Sequence, residues 1–307
     1  MPPPLRLGTR GSPLALWQAK WVQDTLRETQ PERPVEVVIV KTQAEKFPER
    51  DLPEIGVGVF TKELDDALER GDIDCAVHSL KDVPSELDPA LRLVAVPARE
   101  SPLDAFVSSD GTLLANLPKG AALGTGSPRR KAQLLAYRPD LRIVPLRGNV
   151  GTRLRKMKEQ GLAGTILAHA GLRRLAQEDA ITELLSPDVV LPAVSQGALA
   201  IVARKIDTET HALLATLDHP PSHGRVLAER GFLRTLRGGC QVPAGALATI
   251  EADGTSLRIQ AVLAATDGSR LLKGEQRGHI DKGAALGASL GTELLEGGGE
   301  DILRVVR

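Results

Sequence analysis

Aromatic side chains are nearly missing from this chain of 307 residues, which has two Trp, one Tyr and four Phe. Its core must therefore come from Leu, Val, Ala and Ile. Stacking platforms for nucleobases are scarce as well, which argues against a nucleic-acid binder. Cysteine is equally sparse: Cys75 and Cys240 are far apart, the six His are scattered, and no Cys/His spacing resembles zinc ligation, so no metal is expected. No apolar run approaches membrane-spanning length, and Met1-Pro2-Pro3-Pro4-Leu5-Arg6 has no apolar stretch of the signal-peptide kind. The expected setting is reducing and cytoplasmic, without a membrane partner. Net charge is absent too, because 39 basic and 39 acidic residues cancel.

That cancellation is not local. Residues 1–100 carry thirteen basic and eighteen acidic side chains, and residues 101–195 carry thirteen and eight. All thirteen basic residues of the middle part lie between Lys119 and Arg174, opposed there only by Asp140 and Glu159. A solvated face of paired charges would not be so one-sided. A polyanionic ligand explains it better.

The length suggests two or three domains. Leu5 to Gly8 reads as a strand, and Ser12-Pro13 as the N-cap and first residue of a helix. Val35 to Val40 and Ile73 to Val77 read as buried strands of a parallel sheet. The polar stretch Lys41 to Gly58 reads as a lid. The Ile73 strand runs into His78-Ser79-Leu80-Lys81-Asp82-Val83-Pro84, a charged pair where open α/β sheets hold ligands. A crossover near residues 97–103 opens a second α/β half.

There Leu123-Gly124-Thr125-Gly126-Ser127-Pro128 repeats the device of Leu7-Gly8-Thr9-Arg10-Gly11-Ser12-Pro13. Each copy offers free N–H groups, a hydroxyl and nearby Arg at a helix start. Two copies suggest facing anion sites across a cleft. Arg129, Arg130, Arg147, Arg153, Arg173 and Arg174 cluster near strand ends, while Arg155, Lys156, Lys158 and Arg173 are candidates for plain helix surface. Leu191 to Leu199 reads as a return crossover into a helix. From Pro220 the pattern becomes one helix, alternating strands with turns at Gly254 and Asp267-Gly268, and a last helix from Lys282 to Leu295. Between the first helix and the first strand stands Arg237-Gly238-Gly239-Cys240-Gln241-Val242-Pro243. Cys240 on this turn is either a small filler or a thiolate that bonds a ligand.

Six stretches, in order, resemble the porphobilinogen deaminase (hydroxymethylbilane synthase) family: Thr9 to Gln18, His78 to Pro84, Asp104 to Val107, Leu146 to Arg153, Leu191 to Ala198 and Gly238 to Pro243. The resemblance covers nearly the whole chain. It implies an α/β protein, with two periplasmic-binding-protein-like (type 2) α/β domains and a small α+β C-terminal domain with an antiparallel sheet. The domains would be 1–98 with 197–218, 103–193, and 220–307.

It further implies a dipyrromethane cofactor joined by a thioether to Cys240. Four porphobilinogen molecules would be condensed head to tail with loss of ammonia, releasing 1-hydroxymethylbilane for tetrapyrrole biosynthesis. Asp82 would be the catalytic carboxylate. Arg10, Ser12, Lys81, Thr125, Ser127, Arg129, Arg130, Arg147, Arg153, Arg174 and Gln196 would bind cofactor and substrate. The family suggests a monomer. The chain departs from the family at Gly126, commonly Ser, and in the lid, where Glu45 and Val57 replace Asp and Lys; Lys46 is a candidate substitute.

Two other classes remain open on the residues alone. A cytoplasmic anionic-solute-binding protein would share the α/β halves but need neither Asp82 nor the Cys240 domain. A cysteine hydrolase pairing Cys240 with His219 or His223 has no second supporting feature.

Overall fold

The computed structural model describes residues 3–41, 61–237 and 242–306. The expected lid contacts at Glu45, Lys46 and Val57, and the Cys240 turn, lie outside the described residues. In chain order the strands are β1 (Leu5–Thr9), β2 (Val35–Ile39), β3 (Cys75–Ser79), β4 (Leu91–Ala95), β5 (Asp104–Ser108), β6 (Ala122–Gly124), β7 (Arg142–Val144), β8 (Gly164–Ala168), β9 (Glu183–Leu184), β10 (Leu199–Arg204), β11 (Ala244–Ile250), β12 (Ser256–Ala264) and β13 (Leu271–His279). The chain divides into two compact units, Met1–Glu100 with Ala198–His223, and Ser101–Gly197 with Gly224–Arg307.

The first unit holds one five-stranded sheet in the order β2-β1-β3-β10-β4. β1 pairs parallel with β2 and β3, while β10 runs antiparallel to β3 and β4. Leu5, Leu7, Val77 and Ile201 of the sheet pack with Val22 and Leu26 of the helix Pro13–Thr29. That helix starts where its sequence says it should. The Ser12 hydroxyl accepts from the Ala15 N–H at 3.4 Å, and Pro13 occupies a first-turn position that lacks a helical donor anyway.

Two expectations need correction. β2 is an edge strand with only Val35 fully buried, so its apolar run covers one face rather than a sheet centre. The segment after Gln196 enters strand β10, not a helix. Leu199 to Ala203 is buried throughout, between two neighbouring strands, and that burial overrides the helix preference of Leu and Ala.

In the second unit, the sheet order β7-β6-β8-β5-β9 reproduces the first sheet strand for strand. β6 takes the place of β1, and β5 enters antiparallel as β10 does. The same unit carries the antiparallel sheet β11-β12-β13, with turns at Gly254 and Gly268, both at φ +75°. Helices Pro220–Thr235 and Gly283–Leu294 approach closely there. A Cβ on Gly231 would meet the Ala284 carbonyl, and one on Gly287 the Ala228 carbonyl, so only glycine fits. Phe232, Leu236, Ile259, Leu263 and Leu290 fill the core between these elements. A further helix, Glu300–Val306, follows the helix expected last. The α/β class, with two mixed five-stranded sheets of matching order and a small antiparallel α+β element, is the observed architecture. No helix of the described residues is long and apolar enough to cross a membrane.

Candidate active site

In the first unit, the register Leu7↔Cys75 and Gly8↔Ala76 brings the carboxyl ends of β1 and β3 side by side. Arg10 and Ser12 therefore leave the same sheet edge as Ser79, Lys81 and Asp82. The Gln18 side-chain amide donates to the Ser79 hydroxyl at 2.8 Å, tying the first helix to the second motif. Lys81 and Asp82 lie on a single 3₁₀ turn, Leu80–Asp82. Buried Leu80 and Val83 anchor that turn, and the Leu80 N–H donates to the Ala198 carbonyl at 3.0 Å. Asp82 is half-buried between these anchors, and its carboxylate makes no hydrogen bond or ion pair with another described residue. A carboxylate held this way keeps its oxygens available for a ligand.

His78, just upstream, is buried, and its Nε2 has no hydrogen-bond partner among the described residues. Burial, and then the nearby Arg10 charge, push the imidazole down to about 4. It is neutral at ordinary pH.

In the second unit, Thr125 is buried just beyond β6, and the Ser127 N–H donates to its hydroxyl oxygen at 3.2 Å. The Ser127 hydroxyl caps the helix Pro128–Tyr137, accepting from the Arg130 N–H at 3.4 Å. A Cβ on Gly126 would stand 3.2 Å from the Leu146 carbonyl oxygen, so the absent side chain leaves this approach open.

Arg129 and Arg130 are both buried against one carboxylate, that of Asp104. Arg129 Nη1 reaches Asp104 Oδ2 at 2.8 Å and donates to the Leu191 carbonyl at 2.6 Å. Arg130 donates to Asp104 Oδ1 from Nη2 at 2.6 Å and from Nε at 3.2 Å, and its Nη1 donates to the Ile166 carbonyl at 2.8 Å. Gln196 Nε2 adds a donor to the same oxygen at 2.9 Å, and also reaches the Pro102 carbonyl at 2.8 Å. Burial works to raise the Asp104 pKa, but the two guanidinium groups and their hydrogen bonds outweigh it and hold the carboxyl well below its usual range. Two cations against one anion leave one positive charge over. Arg130 turns all three nitrogens to protein acceptors, whereas Arg129 keeps Nε and Nη2 without a partner among the described residues.

The remaining candidates are more open. Arg174 Nη2 donates to the Gly197 carbonyl at 2.7 Å, and Arg153 Nε to the Gly148 carbonyl at 2.7 Å, each from a half-buried side chain. Arg147 is half-buried at the end of the segment after β7. Arg155 and Arg173 are exposed and paired with Glu159 and Glu178, as helix-surface residues are. Sequence reasoning passed over Asp104 as a functional residue. Its signal was there, since it is the one acid in a matched stretch otherwise made of apolar strand residues. Among the described residues no group of three or more His, Cys, Asp or Glu is placed to hold a metal ion.

Each unit by itself offers donors suited to carboxylates: a capped helix start in both and, in the second, two guanidinium groups against one carboxylate. Residues 5–212 match the family model described as porphobilinogen deaminase, dipyromethane cofactor binding domain, and residues 224–296 match porphobilinogen deaminase, C-terminal domain. The porphobilinogen deaminase of Pelotomaculum thermopropionicum is 47% identical over 304 residues, covering 99% of this chain and 97% of its own. That of Desulforudis audaxviator is 49% identical over 302 residues, covering 98% and 97%. A solved methionine-binding protein, MetQ, is similar at a TM-score of 0.44 and 14% identity over 69% of this chain and 89% of its own, too loosely to argue from. With both family models matched in order and relatives this similar end to end, the chain belongs to the porphobilinogen deaminase family.

Proposed function

We propose that this chain is a transferase that condenses four porphobilinogen molecules head to tail, releasing ammonia and the linear tetrapyrrole 1-hydroxymethylbilane. One observation carries the reading furthest. The chain sets a half-buried carboxylate, with no partner among the described residues, at a strand end beside a lysine, and elsewhere sets two guanidinium groups against one carboxylate. A reaction on substrates that each bring an acetate and a propionate needs both.

Asp82 is assigned the proton transfers. As an acid it donates to the amino group that leaves as ammonia. As a carboxylate it then stabilises the cation left on the substrate pyrrole, and it later accepts the proton lost from the new junction. Arg10, Ser12, Lys81, Thr125, Ser127, Arg129, Arg147, Arg153, Arg174 and Gln196 hold carboxylates, and Arg130 acts with them through Asp104. A dipyrromethane, joined by a thioether to Cys240, supplies the pyrrole end to which substrate is added. The surplus charge around Asp104 and the two capped helix starts fit such a polyanion. The proposed domains are 1–98 with 197–218, 103–193 and 220–307, in a cytoplasmic monomer.

Intact mass spectrometry before and after incubation with porphobilinogen tests this reading. The expected result is a mass above the polypeptide by two linked pyrroles, mapped to the Cys240 peptide, followed by further one-pyrrole steps. A folded protein whose mass stays that of the bare polypeptide, with no ammonia released, would instead make it an anionic-solute-binding protein.

A further inference from the structure

Helix Pro128–Tyr137 carries Arg129 and, one turn on, Gln133. Gln133 is buried, and both ends of its amide are turned to one residue outside the helix. The Leu191 N–H donates to Gln133 Oε1 at 2.8 Å, and Gln133 Nε2 donates back to the Leu191 carbonyl at 3.1 Å. Arg129 meets the same carbonyl, with its Nη1 donating to it at 2.6 Å. Two side chains four residues apart, on one face of the helix, thus share a single acceptor and engage both of its lone pairs.

Strand β11 closes the other side. A Cβ on Gly245 would stand 2.7 Å from the Leu191 carbonyl oxygen, 2.8 Å from that of Pro192 and 3.3 Å from Arg129 Cδ. The Ala246 N–H donates to the Pro192 carbonyl at 3.1 Å, and the Leu191 side chain packs with Leu247 and Val262. The Leu191 carbonyl therefore has no room to drift towards the strand, and Gln133 keeps it from turning away from the helix.

What this arrangement fixes is the direction of a guanidinium. Both polar contacts of the Arg129 guanidinium fall on Nη1, which also lies 2.8 Å from Asp104 Oδ2. Asp104 is shared with Arg130, so the Leu191 carbonyl is the anchor that Arg129 does not share with its neighbour. Nε and Nη2 form the other edge, two donors spaced for the two oxygens of a carboxylate, and neither has a partner among the described residues.

We propose that Gln133 is a positioning residue for carboxylate binding: its amide clamps Leu191 by both backbone polar groups, and so sets the carbonyl that aims the Nε–Nη2 edge of Arg129 at a ligand carboxylate. This rests on the function given above, in which Arg129 holds such a group. Gln133 acts without touching the ligand.

The test is Gln133→Met, which fills the same space and offers neither bond. KM for porphobilinogen is expected to rise about fivefold or more while kcat moves less, the scale of one or two lost hydrogen bonds. In an Arg129→Lys background, which keeps the charge beside Asp104 but has no fork to aim, the same change adds less than about twofold. An unchanged KM, or effects that multiply in full, would overturn the proposal. Amide exchange reads the clamp without turnover: the peptide containing Leu191 loses protection in Gln133→Met, and unchanged exchange there sinks the idea. If Gln133→Met does not fold, Gln133→Asn is read in its place. Its amide falls one methylene short of Leu191, so a wild-type KM counts against the clamp. A wild-type protein with neither pyrrole adduct nor turnover refutes the proposed function itself, whereas an active wild type beside an indifferent Gln133→Met refutes the aiming of Arg129 alone.

Discussion

The two capped helix starts share one local design and do opposite electrostatic work. Ser12 and Ser127 each follow a Gly-Thr strand end, accept an N–H three residues on, and precede a Pro. The first turn after Ser12 is Pro13-Leu14-Ala15, with no charge, and nearby Asp82 makes no ion pair with a described residue. The first turn after Ser127 contains Arg129 and Arg130, cations at the positive end of a helix, where each is unfavourable by about 0.3–1 kcal/mol. Buried Asp104 offsets that cost and the far larger cost of desolvating two guanidinium groups. Identical backbone devices thus serve a site whose carboxylate, Asp82, has no partner among the described residues and a site where Asp104 is locked between two arginines.

The contrast breaks most sharply at the two acids. Asp82→Asn should lower turnover about 100-fold or more, since positioned proton transfer contributes on that scale, and should leave the melting temperature nearly unchanged. Initial rates of ammonia release alongside a thermal melt would show it; wild-type turnover would remove Asp82 from the chemistry. Asp104→Asn should do the reverse first. It strands two buried cations and should cost about 3–5 kcal/mol of stability, measured by denaturant titration, with loss of activity following the loss of fold. A mild effect on stability would mean the arginines are held by their carbonyl partners alone.

Next in size is the pH response of the first unit. The folded-state value of His78, about 4, lies below its ordinary 6.5. The neutral form is therefore favoured by folding. That contribution is complete above pH 6.5 and lost as pH falls towards 4, on the order of 3 kcal/mol in all. Asp104, also depressed, contributes the same way but at lower pH, being complete above its ordinary 3.8 and lost only in stronger acid. Melting temperatures of wild type and His78→Gln between pH 7 and 4 should separate the two. The wild-type curve falls in this window and the variant's is flatter; parallel curves would mean the imidazole is not desolvated. The smallest effects belong to the caps themselves. Ser12→Ala and Ser127→Ala should each cost about 1 kcal/mol. Similar values would show that the caps are local, and a much larger cost at Ser127 would show that its cap is coupled to the arginine cluster.

Much of the site was legible because its pieces are local. Ser-Pro after a strand is a helix start wherever it occurs, since the cap satisfies N–H groups within three residues. Gly254 and Gly268 announced their turns for the same reason. The 3₁₀ turn with Lys81 and Asp82 followed from a charged pair between an apolar strand and Pro84. The failures were not local. Leu199 to Ala203 has a composition that suits a helix or a strand, and only its place between β3 and β4 chose strand. The apolar run of β2 does not say whether one or both faces are covered, and an edge position left it one.

The chain's sequence by itself determined most of the elements, the repeated helix starts, the local surplus of basic charge between Lys119 and Arg174 and the family, because these depend on short-range hydrogen bonding, composition and motif order. Tertiary structure alone decided what each charge is for. Asp104 meets Arg129, Arg130 and Gln196 from 25, 26 and 92 residues away. A charge in the sequence is only a charge; whether it is stored in a buried pair or left open to a ligand depends on which groups the fold removes from water beside it.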